Sequence, residues 1–498
     1  NASSSGTSSP AERQKLKQDL NQAYIEEEIF WKHKSRNKWT HEGDGNTKYF
    51  HVVTKTRRDR NKLVSIEDKD GTARRGDKEV ADVAISYFQE LFSSTLATTD
   101  LHSQIFKDFP KRVTQEMNMD LTRHVTSEKI KTAVFSIGPH RAPGPDGFSA
   151  AFYHQFWDDI NPAIIKEVER FFSESFLDQQ HNHTNICLIP KTEAPTSMME
   201  FRPIALYNVS YKIISKILVN RLKKHLSSVI SDNHAAFIPG RMITDNNIIA
   251  HEVFHALKAT KRQSKSYMAL KTDITKAYDR LEWSFLKTTM EYIGFDDRWI
   301  QWIMTCVSSV SSSVLINGFP QGSITPERGI RQGDPMSPYL FILCAKVLSH
   351  MMKQAKLKRH LQGIRISDQG PAITHLLFAD DSLFFMLAND KSCKTIREIL
   401  SLYEKVSGQA VNLRKSSISF GSRVKPQVKT RMRRILGIHN EGGQGKYLGL
   451  PEEIKKKKAE IFQYIVERVR SKTQGWSKKF LSEGGKEVLL KGVALALP

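Results

Sequence analysis

The stretch ITHLLFADDSLFFM, residues 373–386, places two adjacent aspartates between two short apolar runs. Each run has the length of a strand, and the residues between them have the length of a turn. The stretch therefore predicts a β-hairpin with Asp380 and Asp381 at its tip. Neighbouring carboxylates repel each other, and a cation that prefers oxygen ligands, such as Mg²⁺, removes that repulsion. A solvated hairpin turn is the alternative that this stretch alone leaves open.

A second acidic strand end lies upstream of the hairpin. Residues 267–274, YMALKTDI, predict a strand that reaches Asp273 near its end. Residues 275–293 predict a helix, because apolar residues recur four positions apart and Gly294 is a natural stop. If Asp273 converges with the hairpin tip, three carboxylates form a site able to hold two Mg²⁺ ions for an in-line nucleotidyl transfer.

Composition points to an anionic partner. The chain has 498 residues and a formal net charge of +22, which favours nucleic acid, although a merely charged surface is the alternative. At this length two or three subdomains are expected. No apolar run has membrane-spanning length. The cysteines lack zinc-site spacing and are predicted to be reduced thiols in an intracellular protein: Cys187, Cys306, Cys344 and Cys393.

Three segments resemble the palm motifs A, B and C of reverse transcriptases, specifically those of plant-type non-LTR (LINE-type) retrotransposons. They are KTDITKAYDRLEW at 271–283, RGIRQGDPMSP at 328–338 and FADD at 378–381. The resemblance runs from about residue 31 to the last residues. Because no initiator Met opens the sequence and relatives continue past its end, it is expected to be a polyprotein fragment, truncated at both ends.

The resemblance implies an α/β (α+β) right-hand polymerase with fingers, palm and a partial thumb, preceded by a helical N-terminal extension. Residues 1–10 are expected to be disordered, and residues 11–125 to form a helical and basic extension. Residues 126–425 are expected to form the fingers and palm, and residues 426–498 the primer-grip region with the partial thumb. The implied activity is that of an RNA-directed DNA polymerase, which adds dNTPs to a primer 3′-hydroxyl on an RNA template.

The resemblance also implies a two-metal centre with Mg²⁺, or Mn²⁺ in its place. Its expected metal ligands are Asp273, Ile274, Asp380 and Asp381. Lys415, in a segment that resembles motif D, is a candidate proton donor to the leaving pyrophosphate. A solvated strand-end lysine is the alternative for Lys415.

The residues implied to bind the incoming nucleotide come from several segments. Lys191 and Arg202 flank a fingers hairpin and are expected to reach the triphosphate, with Arg suited to a bidentate clamp and Lys to a point charge. Tyr278 matches the ring that packs under the sugar and excludes ribonucleotides, and Gln332 with Gly333 matches the lining of the nucleotide pocket. Two alternatives remain, an ordinary strand-end lysine at 191 and a core aromatic at 278.

Other charged residues have weaker assignments. Asp279 is predicted to pair with Arg280 or to cap local structure. Candidate nucleic-acid contacts are Arg57, Arg58, Arg241, Arg331, Lys455 and Lys456. The cations near residues 57 and 455 could instead lie on solvated helix faces, and the lysine run at 455–458 could be a nuclear localisation signal.

The expected partners are an RNA template, a DNA primer and dNTPs, with no membrane. The endonuclease of such elements is expected to lie outside this chain, and the protein to be intracellular, and nuclear when it acts on genomic DNA. Two rival hypotheses remain. One is an RNA-dependent RNA polymerase, against which the aromatic Tyr278 argues, and the other is a catalytically silent nucleic-acid-binding remnant of a decayed element.

Overall fold

The computed structural model describes residues 10–35, 47–94, 100–258, 266–367, 369–443, 445–452, 458–473 and 487. Its helices are α1 Pro10–Ser35, α2 Thr47–Arg60, α3 Asp77–Phe92, α4 Asp100–Ile105, α5 Gln115–Thr122, α6 Ser127–Phe135, α7 Ala150–Gln155, α8 Trp157–Glu174, α9 Val209–Leu222, α10 Leu226–Val229, α11 Ile243–Lys258, α12 Trp283–Ile293, α13 Asp297–Ser308, α14 Ser337–Leu357, α15 Asp390–Ser407, α16 Pro426–Leu436 and α17 Lys458–Thr473.

The strands are β1 Ser65–Glu67, β2 Ala73–Arg75, β3 His183–Pro190, β4 Phe201–Tyr207, β5 Tyr267–Thr272, β6 Ile274–Thr275, β7 Ser311–Ile316, β8 Phe319–Ile324, β9 His375–Phe378, β10 Asp381–Leu387, β11 Ala410–Val411, β12 Ser417–Phe420, β13 Asn440–Glu441, β14 Lys446–Tyr447 and β15 Leu450–Pro451. This mixture of helices and sheets confirms the predicted α/β class. Among the described residues, every helix is too short or too polar to cross a membrane.

The chain divides into two compact units. One comprises residues 1–62 and 455–498, and the other comprises residues 63–454. In the first unit, α1 contacts α2 through the rings of Trp31 and His51, whose centroids lie 3.7 Å apart. The subdomain boundaries drawn from the sequence stay predictions.

A five-stranded central sheet in the larger unit has the order β13-β12-β5-β10-β9. Strands β9 and β10 form the predicted hairpin, with Phe378 opposite Asp381. Ala379 in the turn adopts a φ of 51°, which an L-residue accepts only at some cost in strain. Strand β10 then runs antiparallel to β5, with Ser382 opposite Thr272.

The two faces of the central sheet are covered differently. Side chains alternate between faces along a strand, and the side chains of one face join the main apolar core with α12, α13, α14 and α15: Met268, Leu270, Phe384 and Met386. The intervening side chains join a smaller core with α11 and Tyr447: Ala269, Leu383 and Phe385. By the same alternation Lys271 and Asp381 belong to this second face.

A second sheet has the order β4-β3-β7-β8 and packs against α3. Strands β3 and β4 are antiparallel, with Ile189 opposite Arg202. This register brings Lys191, just beyond the end of β3, close to Arg202. The backbone N–H of Ala205 in β4 donates to the carbonyl of Gln332 at 2.9 Å, so this sheet is joined directly to segment 328–338.

The helix predicted at 275–293 begins only at Trp283, so the first part of that prediction was wrong. Lys276 adopts a φ of 49°, outside the helical region. The carbonyls of Tyr278 and Leu281 accept hydrogen bonds from the backbone N–H groups of Ile330 and Gly329, at 2.9 and 2.7 Å. Contacts with a segment distant in sequence therefore hold residues 276–282 as a turn.

Candidate active site

Three aspartates meet at one end of the central sheet. Ser382 pairs with Thr272 in an antiparallel register, so Asp381, the first residue of β10, and Asp273, the residue directly after β5, follow at the same end of the two strands. Asp380 precedes Asp381 in the exposed turn. Burial raises the pKa of Asp273 and of Asp381, and the charge of Asp380 raises both pKa values further. The three carboxylates therefore lie within electrostatic range of one another, and their convergence on a metal stays a prediction.

Lysines partly offset this negative charge. The charge of Lys415 lowers the pKa of Asp273, against the larger effect of burial, and Lys271 lowers that of Asp381 in the same way. The Lys271 Nζ donates to the carbonyl of Lys446 and lies 3.8 Å from Glu452 Oε1, so Lys271 links the catalytic strand to the β14–β15 hairpin. This link was not predicted from sequence, because a lysine two positions before Asp273 has no local signature.

The chemistry of the aspartates fits a divalent cation. Two carboxylates whose pKa values are raised by burial and by a third carboxylate lose that electrostatic cost when a cation binds between them. In the described part of the chain, no three His, Cys, Asp or Glu side chains are already grouped as a metal site. Ile274, the fourth predicted ligand, lies in β6 opposite Val411. Metal binding by these residues stays a prediction.

Tyr278 lies flat against the core beside the aspartates. Its ring stacks on Phe341 with centroids 5.1 Å apart and an interplanar angle of 7°. Burial raises the pKa of its hydroxyl to about 12, and the charge of Asp380 adds to the rise. The ring is partly buried, packs on Phe341 and lies within electrostatic range of Asp380. A core contact and a sugar contact are compatible at this position.

Gln332 is tied to Asp279. Its Nε2 donates to Asp279 Oδ1 at 2.9 Å, and Asp279 is 2% exposed. The prediction that Asp279 pairs with Arg280 was wrong, because Arg280 Nε donates instead to the carbonyl of Gly408. Gly333 has a φ of 109°, which glycine adopts without strain, and its carbonyl accepts from the Tyr207 hydroxyl at 2.9 Å.

Segments 271–283 and 328–338 pack closely at Gly329 and are joined by a buried ion pair. A Cβ at Gly329 would lie 2.6 Å from the Asp279 carbonyl oxygen, so no larger residue fits there. Arg328 Nη1 lies 3.3 Å from Glu282 Oε1, with both side chains buried. Arg328 Nε also donates to the carbonyl of Leu91 at the end of α3. The fold therefore fixes Tyr278 and Gln332 relative to each other.

Lys191 and Arg202 extend the positive charge around the aspartates. Lys191 Nζ donates to the carbonyl of Met199 at 2.7 Å. Burial lowers the pKa of Lys191, and the charges of Lys415 and Arg202 lower it further, whereas Asp273 opposes the shift. Arg202 is exposed. The structure thus brings two predicted cations from separate segments, Lys191 and Lys415, within electrostatic range of Asp273.

The predicted nucleic-acid contacts are dispersed. The Arg241 guanidinium donates to the carbonyls of Ser231 and Ile230, and that of Arg331 donates to Asn182 and lies 4.2 Å from the ring centroid of Tyr211. Both arginines therefore have internal partners, and a contact with nucleic acid stays a prediction for them. Two others, Arg57 and Arg58, are exposed in the last turn of α2 in the smaller unit. Lys455 and Lys456 lie outside the described residues.

Comparison with known proteins supports the resemblance. The reverse transcriptase (RNA-dependent DNA polymerase) family matches residues 189–451, more than half of the chain. The transposon TX1 uncharacterized 149 kDa protein of Xenopus laevis is 25% identical over 375 residues, covering 75% of this chain and 28% of that protein. The retrovirus-related Pol polyprotein from type-1 retrotransposable element R2 of Popillia japonica is 24% identical over 300 residues, covering 59% of this chain and 39% of that protein.

An uncharacterized mitochondrial protein of Arabidopsis thaliana is 60% identical over 68 residues, covering 14% of this chain and 56% of that protein. The chain thus spans less than two thirds of the length of each of these relatives. The family match includes Asp273, Gln332, Asp380 and Asp381, and the predicted resemblance to reverse transcriptases of non-LTR retrotransposons is confirmed. The chain belongs to the reverse transcriptase family.

Proposed function

We propose that this chain is an RNA-directed DNA polymerase that adds dNTPs to a primer 3′-hydroxyl on an RNA template. The observation that carries the proposal is the register of β5 and β10, which sets Asp273 beside Asp381 at the end of one sheet. A carboxylate pair in that position, next to exposed Asp380 and bordered by cations, suits transfer of a strongly anionic nucleotide.

The aspartates would hold two Mg²⁺ ions, with Ile274 as the adjoining backbone position. The chemistry supplied by bound Mg²⁺ would be activation of the primer hydroxyl and neutralisation of charge on the departing pyrophosphate. The remaining work of the protein is positioning and charge neutralisation. Lys191 and Arg202 would bind the triphosphate, and Lys415 would donate a proton to the pyrophosphate.

Preference for deoxynucleotides is assigned to Tyr278. Its stacking on Phe341 leaves the ring little freedom to move away from a sugar 2′-hydroxyl. Gln332 and Gly333 would line the pocket beside it. A smaller side chain at 278 should therefore admit ribonucleotides, measured as the ratio of rNTP to dNTP incorporation.

The proposed partners are an RNA template and a DNA primer, bound through their backbones. A net charge of +22 supplies sequence-independent affinity for such a polyanion, and recognition of an A-like hybrid requires no base readout. Arg57, Arg58, Arg241, Arg331, Lys455 and Lys456 are the assigned contacts. Action on genomic DNA would require the protein to enter the nucleus.

The test is dNTP incorporation on an RNA template with a DNA primer in Mg²⁺. The wild-type chain should incorporate dNTPs and Asp380→Asn should not. Asp297→Asn, a matched change at an exposed acid of α13, should incorporate them at the wild-type rate. If the wild-type chain binds the hybrid with steep salt dependence but does not incorporate dNTPs, the silent remnant is the better account.

A further inference from the structure

Asp279 is a buried acid with an incompletely satisfied carboxylate. It is 2% exposed, and its Oδ1 accepts the hydrogen bond from Gln332 Nε2 at 2.9 Å. Its Oδ2 is also buried and has no hydrogen-bond partner among the described residues. A charge in such a place costs stability, and a well-packed apolar side chain would avoid that cost. Because the buried carboxylate costs stability, its hydrogen bond with Gln332 indicates a role for Asp279 other than stabilising the fold.

Asp279 lies beside a cavity and within electrostatic range of two lysines. It lines a cavity whose walls come from β3, β4, α13 and segment 328–337. Burial raises the pKa of Asp279 to about 6, and the charges of Lys276 and Lys191 oppose the rise. Lys276 Nζ donates in turn to the carbonyl of Phe201, the neighbour of Arg202. The turn at 276–280 therefore reaches both segments assigned to nucleotide binding.

The contact also decides which way the Gln332 amide points. An amide side chain has a donor end and an acceptor end, whereas a carboxylate only accepts. Asp279 therefore selects the NH₂ end, and the amide oxygen points away from Asp279. The backbone of Gln332 is fixed independently, because its carbonyl accepts from the N–H of Ala205 at 2.9 Å. Without Asp279 the side chain could rotate while its backbone stayed in place.

We propose that Asp279 is a positioning residue for nucleotide selection, and that it acts by holding the Gln332 amide with its oxygen directed away from the buried carboxylate. The inference rests on the proposed function, because it takes Gln332 to line the nucleotide pocket. It assigns the effect of Asp279 to nucleotide binding and separates it from primer–template binding, for which Asp279 has no exposed surface.

The first test compares Asp279→Leu, which removes the acceptor at similar size, with Asp279→Asn, which retains an acceptor oxygen. The expected result for Asp279→Leu is a rise of about tenfold in KM for dNTP, the cost of one lost buried hydrogen bond, with the Kd for primer–template unchanged. Asp279→Asn should return KM to within about threefold of wild type. Equal defects in both variants, or a parallel loss of primer–template affinity, would overturn the proposal.

The second test keeps side-chain size constant and serves if Asp279→Leu does not fold. Gln332→Glu places a second carboxylate against Asp279, which should raise KM for dNTP. In the double variant Asp279→Asn with Gln332→Glu, an amide donor again meets a carboxylate, and the KM should fall below that of Gln332→Glu alone. Strictly additive effects on KM would contradict the coupling.

The proposed function has its own controls in the same assay, wild type and Asp380→Asn. If wild type incorporates no dNTP, the proposed function fails, and the inference is then decided by calorimetric titration of dTTP in Mg²⁺. Weaker dTTP binding by Asp279→Leu than by wild type supports the positioning role. Equal binding by the two chains, or no binding by wild type, overturns it.

Discussion

The two faces of the central sheet differ in what covers them. One face is closed by helices, and Phe384, fully buried, is part of the main core. On the other face, α11 and the β14–β15 hairpin pack among the described residues, and Asp381 lies beside Asp273 at the end of the strands. The first face contributes the larger apolar core, whereas the second combines a smaller core with charged groups whose raised pKa values report an electrostatic cost. The proposed chemistry therefore belongs to the face with the smaller apolar core.

The largest effect on activity is expected from a neutral substitution among the charged groups of the second face. Asp273→Asn should lower dNTP incorporation by at least about 10³-fold, because it removes one of the carboxylates that would hold the Mg²⁺ ions. Its free energy of unfolding should equal or exceed that of wild type, because the repulsion from Asp380 disappears. Single-turnover incorporation and urea unfolding measure the two quantities. A marked loss of stability would show that Asp273 has a structural role.

A substitution on the face that joins the main core should instead lower stability. Phe384→Ala removes a fully buried ring and should lower the free energy of unfolding by about 3–5 kcal/mol, the usual cost of a large cavity. Measured by urea unfolding, that loss should exceed the loss for any aspartate variant. If Phe384→Ala unfolds like wild type, the helix-covered face does not carry the stability assigned to it.

Asp279 is a charged group that is buried, so it tests the cost of burying a charge apart from the exposed acid Asp380. Its pKa is raised to about 6, so the native state binds its proton more tightly than the unfolded state does. Its contribution to stability is then full below pH about 4 and lost as pH rises through about 6, by about 3 kcal/mol in all. Asp279→Asn should remove this dependence and be more stable than wild type at pH 8 by urea unfolding. A less stable variant at pH 8 would contradict the assigned cost.

The smallest expected effect concerns the link between the charged face and the β14–β15 hairpin. Lys271→Met removes the contacts with Lys446 and Glu452 and should raise the Kd for primer–template by about threefold, the scale of a single weak ion pair. Fluorescence anisotropy with a labelled hybrid measures it. The matched change Lys287→Met, at an exposed pair with Glu291 on α12, should leave the Kd unchanged.

The hairpin and the strand leading to Asp273 were predictable from sequence, because alternation and turn length are local properties. The start of α12 was not, since backbone bonds from Gly329 and Ile330 hold residues 276–282 out of a helix. The Asp279–Gln332 contact was missed for the same reason, because it joins residues 53 positions apart. The internal partners of Arg241 and Arg331 also follow from tertiary packing, which charge patterns along the chain do not reveal.

The most direct measurement compares two substitutions three positions apart on β10, Asp381→Asn and Phe384→Ala, each assayed for Mg²⁺-dependent dNTP incorporation and for unfolding by urea. Wild type should incorporate dNTP in Mg²⁺ and not in EDTA. Asp381→Asn should be folded and inactive, whereas Phe384→Ala should lose stability and retain activity in proportion to its folded fraction. Incorporation by folded Asp381→Asn at the wild-type rate would show that Asp381 is not needed for nucleotide transfer.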